Sequence, residues 1–96
     1  MDAMEDKLTI NERDRRFELK SGEHTAFIEY RTSEDVYKLV HTEVPQALEG
    51  KGVGKQLVTL TINHLRENNL KFVPLCSFVM ALLRRHPEWQ DLVAER

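Results

Sequence analysis

Apolar and polar residues alternate through the first half of the chain, and the apolar spacing lengthens to a helical period in the second. Leu8 and Ile10 stand between polar neighbours, as do Phe17 and Leu19, so both runs predict strands. Residues 24–32, HTAFIEYRT, are rich in aromatic and β-branched types. They place Ala26, Ile28 and Tyr30 on one face and Phe27, Glu29 and Arg31 on the other. Residues 36–44, VYKLVHTEV, predict a fourth strand. Strict alternation gives Val36, Val40 and Val44 one face, and Tyr37, Leu39, His41 and Glu43 the other. Ser21-Gly22 and Ser33-Glu34-Asp35 separate these runs, and such short polar turns favour hairpins or a meander.

From Val53 to about Arg66 the pattern turns helical. At about 100° per residue, Val53, Leu57, Val58, Leu60, Thr61, Ile62, His64 and Leu65 fall in one broad sector. A face that wide suits a helix laid across a sheet. Asn68-Asn69 ends it, and Leu70–Leu75 predicts a short strand. Pro74 cannot donate a ladder hydrogen bond, so it marks a sheet margin or a break in pairing. Residues 77–86 predict a second helix with Phe78, Val79, Leu82 and Leu83 inward. Pro87 starts a third, short one, with Trp89, Leu92 and Val93 packing back. The order β-β-β-β-α-β-α-α needs a crossover around the long helix, which makes the last two strands parallel neighbours. The fold class is α+β, with a mixed, mainly antiparallel sheet in a single domain, 1–96.

Composition narrows the function. Fourteen Lys and Arg against sixteen Asp and Glu leave a net charge of −2, where binding to a phosphate backbone calls for a basic excess; no nucleic-acid partner is expected. One cysteine provides neither a disulfide framework nor a zinc ribbon, and no His and carboxylate spacing suggests a metal site. No apolar run approaches the ~20 residues of a membrane span. The acidic, polar start MDAMEDKL carries no signal-peptide pattern, so the expected compartment is the cytoplasm.

The chemistry concentrates between the fourth strand and the long helix, in VPQALEGKGVGKQLV. Gly50, Gly52 and Gly54 sit at alternate positions there, three of the chain's four glycines. Glycines at a strand-to-helix junction let backbone amides approach a ligand closely. The helix start adds unpaired amides and the positive end of its dipole. Together these suit an anion such as a diphosphate, with Lys51 and Lys55 beside it. The alternative is a loop that only turns the chain. The spacing is not that of a P-loop, since Gln56 follows Lys55, and a Rossmann fingerprint needs an alternating β/α pattern that is absent.

The stretch Glu49-Gly50-Lys51-Gly52-Val53-Gly54 resembles the acyl-CoA diphosphate loop of the GNAT acetyltransferase superfamily, whose pattern is Q/R-x-x-G-x-G/A. Gly52 and Gly54 match, and Glu49 stands where Gln or Arg is usual. LVHTEVP before the loop, and PLCSF and RRHPEW after it, resemble the minimal branch of roughly a hundred residues, over about residues 8–93. The resemblance implies an acetyl-CoA-dependent N-acetyltransferase acting on a small-molecule or peptide amine, as a monomer or weak homodimer. It implies that the two usual front helices are missing. It also implies that the strands ending near Val44 and Leu75 splay to admit the pantetheine arm, and that Gly50, Lys51, Gly52, Val53, Gly54 and Lys55 hold the diphosphate.

Single residues carry paired readings. Cys76 opens the second helix, where a thiol ionises more readily. The resemblance places it near the thioester as nucleophile or acid; a small buried hydrophobe is the alternative. His41 suits a base for the incoming amine, and Glu43 on the same face suits its orienter or a base through water. His41 also reads as a histidine hydrogen-bonded at a strand end, and His64 as packing. Arg84, Arg85 and His86 either meet a CoA phosphate, Arg85 foremost, or favour a helix C-terminus. Trp89 reads as a core plug. Phe78 lies near where many GNAT enzymes place a tyrosine acid, and a phenyl ring cannot fill that role. The other function class is a CoA-binding module with little catalysis.

Overall fold

The computed structural model describes residues 8–94. The alternating half of the chain forms β1 (Leu8–Asn11), β2 (Arg16–Ser21), β3 (His24–Ser33) and β4 (Val36–Glu43), each antiparallel to the one before. A 3₁₀ turn at Gln46–Leu48 leads to α1 (Val53–Glu67). β5 (Lys71–Pro74) then pairs parallel with β4, and the sheet order is β1-β2-β3-β4-β5. α2 (Ser77–Arg84) and a 3₁₀ segment, Pro87–Leu92, follow. This is the expected α+β class with a mixed sheet.

One face of the sheet and the apolar sector of α1 make the core. Phe17, Leu19, Ala26, Ile28, Tyr30 and Leu39 pack with Val53, Leu57, Val58, Ile62 and Leu65. The helix wheel places these residues correctly; Leu60 and His64 lie at its half-buried margins. α1 ends where Asn69 takes a left-handed φ of 58°. The Leu70 amide then reaches the Leu65 carbonyl at 2.9 Å and the Asn69 amide reaches Arg66 at 3.2 Å, a Schellman closure. Trp89 and Leu92 are buried, and Arg66 ties their segment down with two bonds to Asp91, 2.9 and 3.1 Å. The Ala94 amide donates to Phe72 at 2.8 Å along the outer side of β5.

Strict alternation fails at one place in β4. Glu29 faces His41 but Tyr30 faces Leu39, so Val40 is an extra residue on its strand. Such a bulge shifts the two-residue side-chain period by one. His41 and Glu43 therefore leave the Leu39 face, while Thr42 comes opposite Ile28 and Val44 packs against the core. The shared face assigned to Leu39, His41 and Glu43 is thus corrected.

The bulge coincides with the end of β5. Pairing between β4 and β5 runs from Val36 and Lys71 to Leu39 and Pro74, and the Leu75 amide adds a bond to the Leu39 carbonyl at 3.0 Å. Beyond it β4 stays paired with β3 through Thr42 and Glu43, while the segment after β5 turns into α2. Pro74 thus stands where the sheet separates.

Candidate active site

The loop between β4 and α1 meets its conformational demands with glycine. Gly50 and Gly52 have φ of 80° and 77°, the left-handed region that a side chain disfavours. Gly52 is the N-cap of α1 and provides no side-chain cap. Within the turn the Leu48, Glu49 and Lys51 amides bond to Pro45, Gln46 and Leu48, and the Gln56 amide bonds to Gly52. Among the described residues, the amides of Gly50, Gly52, Val53, Gly54 and Lys55 have no such partner. Donors at a helix start, with the positive end of its dipole, form a site for an anion.

A cleft of ≈ 610 Å³ opens beside them. Its walls are Thr42 and Glu43 from β4 and Val44 just after it, Leu48–Gly50 and Gly52 from the loop, Val53–Lys55 from α1, and Phe78, Leu82 and Arg85. The last three recur at i, i+4 and i+7, so one stripe of α2 and its C-cap forms a wall. Of the expected residues, Glu43, Val44, Gly50, Gly52, Val53, Gly54, Lys55 and Arg85 line the cleft; His41, Lys51 and Cys76 do not. Thr42, Leu48, Glu49, Leu82 and Phe78 join the lining without having been assigned a binding role. For Thr42, alternation hid its side of the strand behind the bulge. For Phe78, the helical pattern predicted an inward ring, yet it is 39% exposed.

Gly54 differs from its two neighbours in the loop. Its φ is not left-handed, and a Cβ there would meet Cζ of Phe78 at 2.7 Å and Cγ2 of Val44 at 3.2 Å. Glycine at this buried helical position lets α2 and the end of β4 approach α1.

Cys76 is the N-cap of α2 and crosses the opening between the strands: its Sγ lies 3.2 Å from Oγ1 of Thr42. Burial pushes its thiol up. The Thr42 hydroxyl and the amides of Val79, Phe78 and Thr42 favour the thiolate and together outweigh burial, so the thiol sits below its ordinary value. His41 and Glu43 meet outside the core face, Nε2 to Oε1 at 3.0 Å, and both are exposed. Glu43 is the member of that pair that reaches the cleft. Among the described residues no group of three or more His, Cys, Asp or Glu side chains is arranged to hold a metal ion. No helix there is long and apolar enough to cross a membrane.

The parallel strands part next to a turn of unpartnered amides at a helix start. A sequence model of the GCN5-related N-acetyl-transferase family matches residues 16–92. The solution structure of a GCN5-like candidate N-acetyltransferase from Staphylococcus aureus is similar at 33% identity and a TM-score of 0.69, over 94% of this chain and 91% of that one. The chain belongs to the GCN5-related N-acetyltransferase family, and its enzyme class is acyltransferase.

Proposed function

We propose that this chain transfers an acetyl group from acetyl-CoA to the amine of a small molecule or peptide. The observation that supports it most is the set of unpartnered amides at Gly50, Gly52, Val53, Gly54 and Lys55, beside a cleft that is lined also by Thr42, Glu43 and Val44, just beyond the point where β4 and β5 separate. The amides would hold the CoA diphosphate, with Lys55 beside them and Lys51 nearby. Val44 and Phe78 offer apolar surface to the pantetheine arm. In the transfer the amine nitrogen bonds to the acetyl carbon, the carbon–sulfur bond breaks, the nitrogen loses a proton and the sulfur gains one. Glu43, at the rim of the cleft, takes the nitrogen's proton directly or through water, and His41 holds its carboxylate. Cys76, its thiol poised below the ordinary value, stands on the leaving-group side. The single half-buried thiol suits a reducing compartment such as the cytoplasm, and the protein acts as a monomer or weak homodimer.

A second reading, a CoA-binding module with little turnover, draws on Phe78, which has no proton to give, and on Glu49, a carboxylate at the anion site. Titration calorimetry with acetyl-CoA and CoA, followed by an acetylation screen over polyamines, amino acids and peptide N-termini, separates the two. Binding with turnover of one amine class supports transfer. Binding without turnover on any class supports the module, and no binding sinks both.

A further inference from the structure

We propose that Arg85 reads the 3′-phosphate on the ribose of the CoA nucleotide, so that the cleft selects thioesters carried on full CoA over those lacking that phosphate. This rests on the reading of the cleft as an acyl-CoA site.

Two anion-seeking features line the same cleft at different places. The first is the row of amides around Gly52 and Gly54. Its position along α2 is fixed by contact, because the Phe78 ring tip lies against Gly54. The second is Arg85, seven residues beyond Phe78 on the same stripe of α2. At a rise of about 1.5 Å per residue, its backbone lies about 10 Å farther along the helix axis. Leu82 lies between them on the lining, so the wall runs from aromatic through aliphatic to cationic.

A ligand matching this wall carries two anionic centres separated by a neutral group. A diphosphate alone is one centre, and the amides with Lys55 already satisfy it. CoA has a second, a phosphate monoester set off from the diphosphate by a ribose.

The state of Arg85 fits a group kept for a ligand. Arg66 is bound to Asp91, Arg16 lies over the Phe27 ring and beside Glu18, and Arg13 pairs with Asp14. Among the described residues the side chains of Arg15, Arg84 and Arg85 have no ion-pair or hydrogen-bond partner, and of these three Arg85 alone lines the cleft. A guanidinium presents a planar fork of donors matched to phosphate oxygens.

The test is calorimetric titration of wild type and Arg85→Gln with CoA and with dephospho-CoA, at low and moderate salt. Arg85 is exposed, so the variant should keep its fold, which circular dichroism verifies. Wild type is expected to bind CoA about five- to tenfold more tightly than dephospho-CoA, the range for one charge-assisted contact at a solvent-reached site. Salt should narrow that ratio. Arg85→Gln should bind dephospho-CoA as wild type does and lose the preference for CoA. Equal weakening of both ligands would assign Arg85 to the diphosphate and overturn the proposal, as would a preference that survives the substitution. If wild type binds CoA and dephospho-CoA equally, the proposal alone fails. If it binds neither, the acyl-CoA reading has failed and takes the proposal with it.

Discussion

The ring tip of Phe78 occupies the space that a side chain on Gly54 would need, with Cζ 2.7 Å from the position of a Cβ. Alanine is favoured over glycine inside a helix by about 1 kcal/mol. Here that gain meets a clash, but one with the far end of a partly exposed ring, which can turn aside. Gly54→Ala should therefore change stability by less than about 1 kcal/mol. It should weaken acetyl-CoA binding by about tenfold, because the ring's free space is the cleft itself. Thermal melts and calorimetry check both. Gly54→Ala combined with Phe78→Ala should recover most of the lost affinity; a double variant as weak as the single one would place the conflict at Val44 instead.

That contact also marks where sequence patterns stop being informative. Periodicity sufficed for the helix that covers the sheet, since burying Leu57, Val58, Ile62 and Leu65 against Phe17 and Ile28 is what a wide apolar sector requires. The glycine spacing and Pro74 pointed to the loop and the strand separation, because backbone freedom and a missing donor are properties of single residues. The bulge at Val40 was not legible. Valine is a good strand residue, and the extra position is defined only by the partner strand, through the register change between Glu29 and Tyr30. The exposure of Phe78 was hidden for a similar reason: an aromatic ring reads as core until the fold shows a cleft beside it.

Gly52 and Gly22 allow a controlled comparison. Both have left-handed φ, 77° and 63°, and a Cβ on either would meet nothing within 4 Å. Alanine at either should cost about 1–2 kcal/mol from backbone strain alone. That corresponds to a fall in Tm of several degrees, at roughly 4–8 °C per kcal/mol for a domain of this size. Only Gly52→Ala should also weaken acetyl-CoA binding, because Gly22 lies in the β2–β3 turn and lines no part of the cleft. Equal loss of affinity in both variants would mean that the loop's amides are not the ligand's donors.

The hydroxyl of Thr42 should control the reactivity of Cys76. In the neutral thiol, Sγ donates to Oγ1; on ionisation the hydroxyl turns to donate to the thiolate. Burial opposes ionisation, and the Thr42 hydroxyl with the Val79, Phe78 and Thr42 amides overcomes it. Alkylation rates against pH should give a midpoint below that of an ordinary thiol, and Thr42→Val should move it up. The sign for stability follows. Between the lowered folded value and the ordinary unfolded one, the unfolded chain holds more protons, so this group adds stability as pH rises through that window. An unchanged midpoint in Thr42→Val would leave burial and the backbone amides as the only influences.

At the other end of α1, Arg66 holds the carboxyl of Asp91 below its usual range through a paired hydrogen bond, and a bond from His86 does the same for Glu88. Both folded values are depressed, so their contribution is complete above the unfolded carboxylate range and is lost as pH falls through the folded values. The gap in Tm between wild type and Arg66→Ala should be largest near neutral pH and shrink on acidification. A gap that persists in acid would show that the Arg66 contact to the Glu88 carbonyl, at 2.9 Å, carries the effect instead.

Glu43 and His41 form a pair in which one member reaches the cleft and the other stands outside it. An exposed side-chain contact of this kind contributes about 0–1 kcal/mol, so removing either partner should leave the Tm nearly unchanged. That makes turnover a clean readout. If Glu43 accepts the amine proton, Glu43→Gln should lower kcat about 10²- to 10⁴-fold while leaving the affinity for acetyl-CoA as it was. Glutamine keeps the shape and one hydrogen-bond acceptor but cannot take a proton. His41→Ala should cost less, because the carboxylate stays in place and loses only its orienting bond. The reverse ranking, with His41→Ala the more damaging, would make the imidazole the base and Glu43 its orienter. In that case substitutions at Glu29, directly opposite His41 on the strand face that His41 and Glu43 share, should raise KM for the amine.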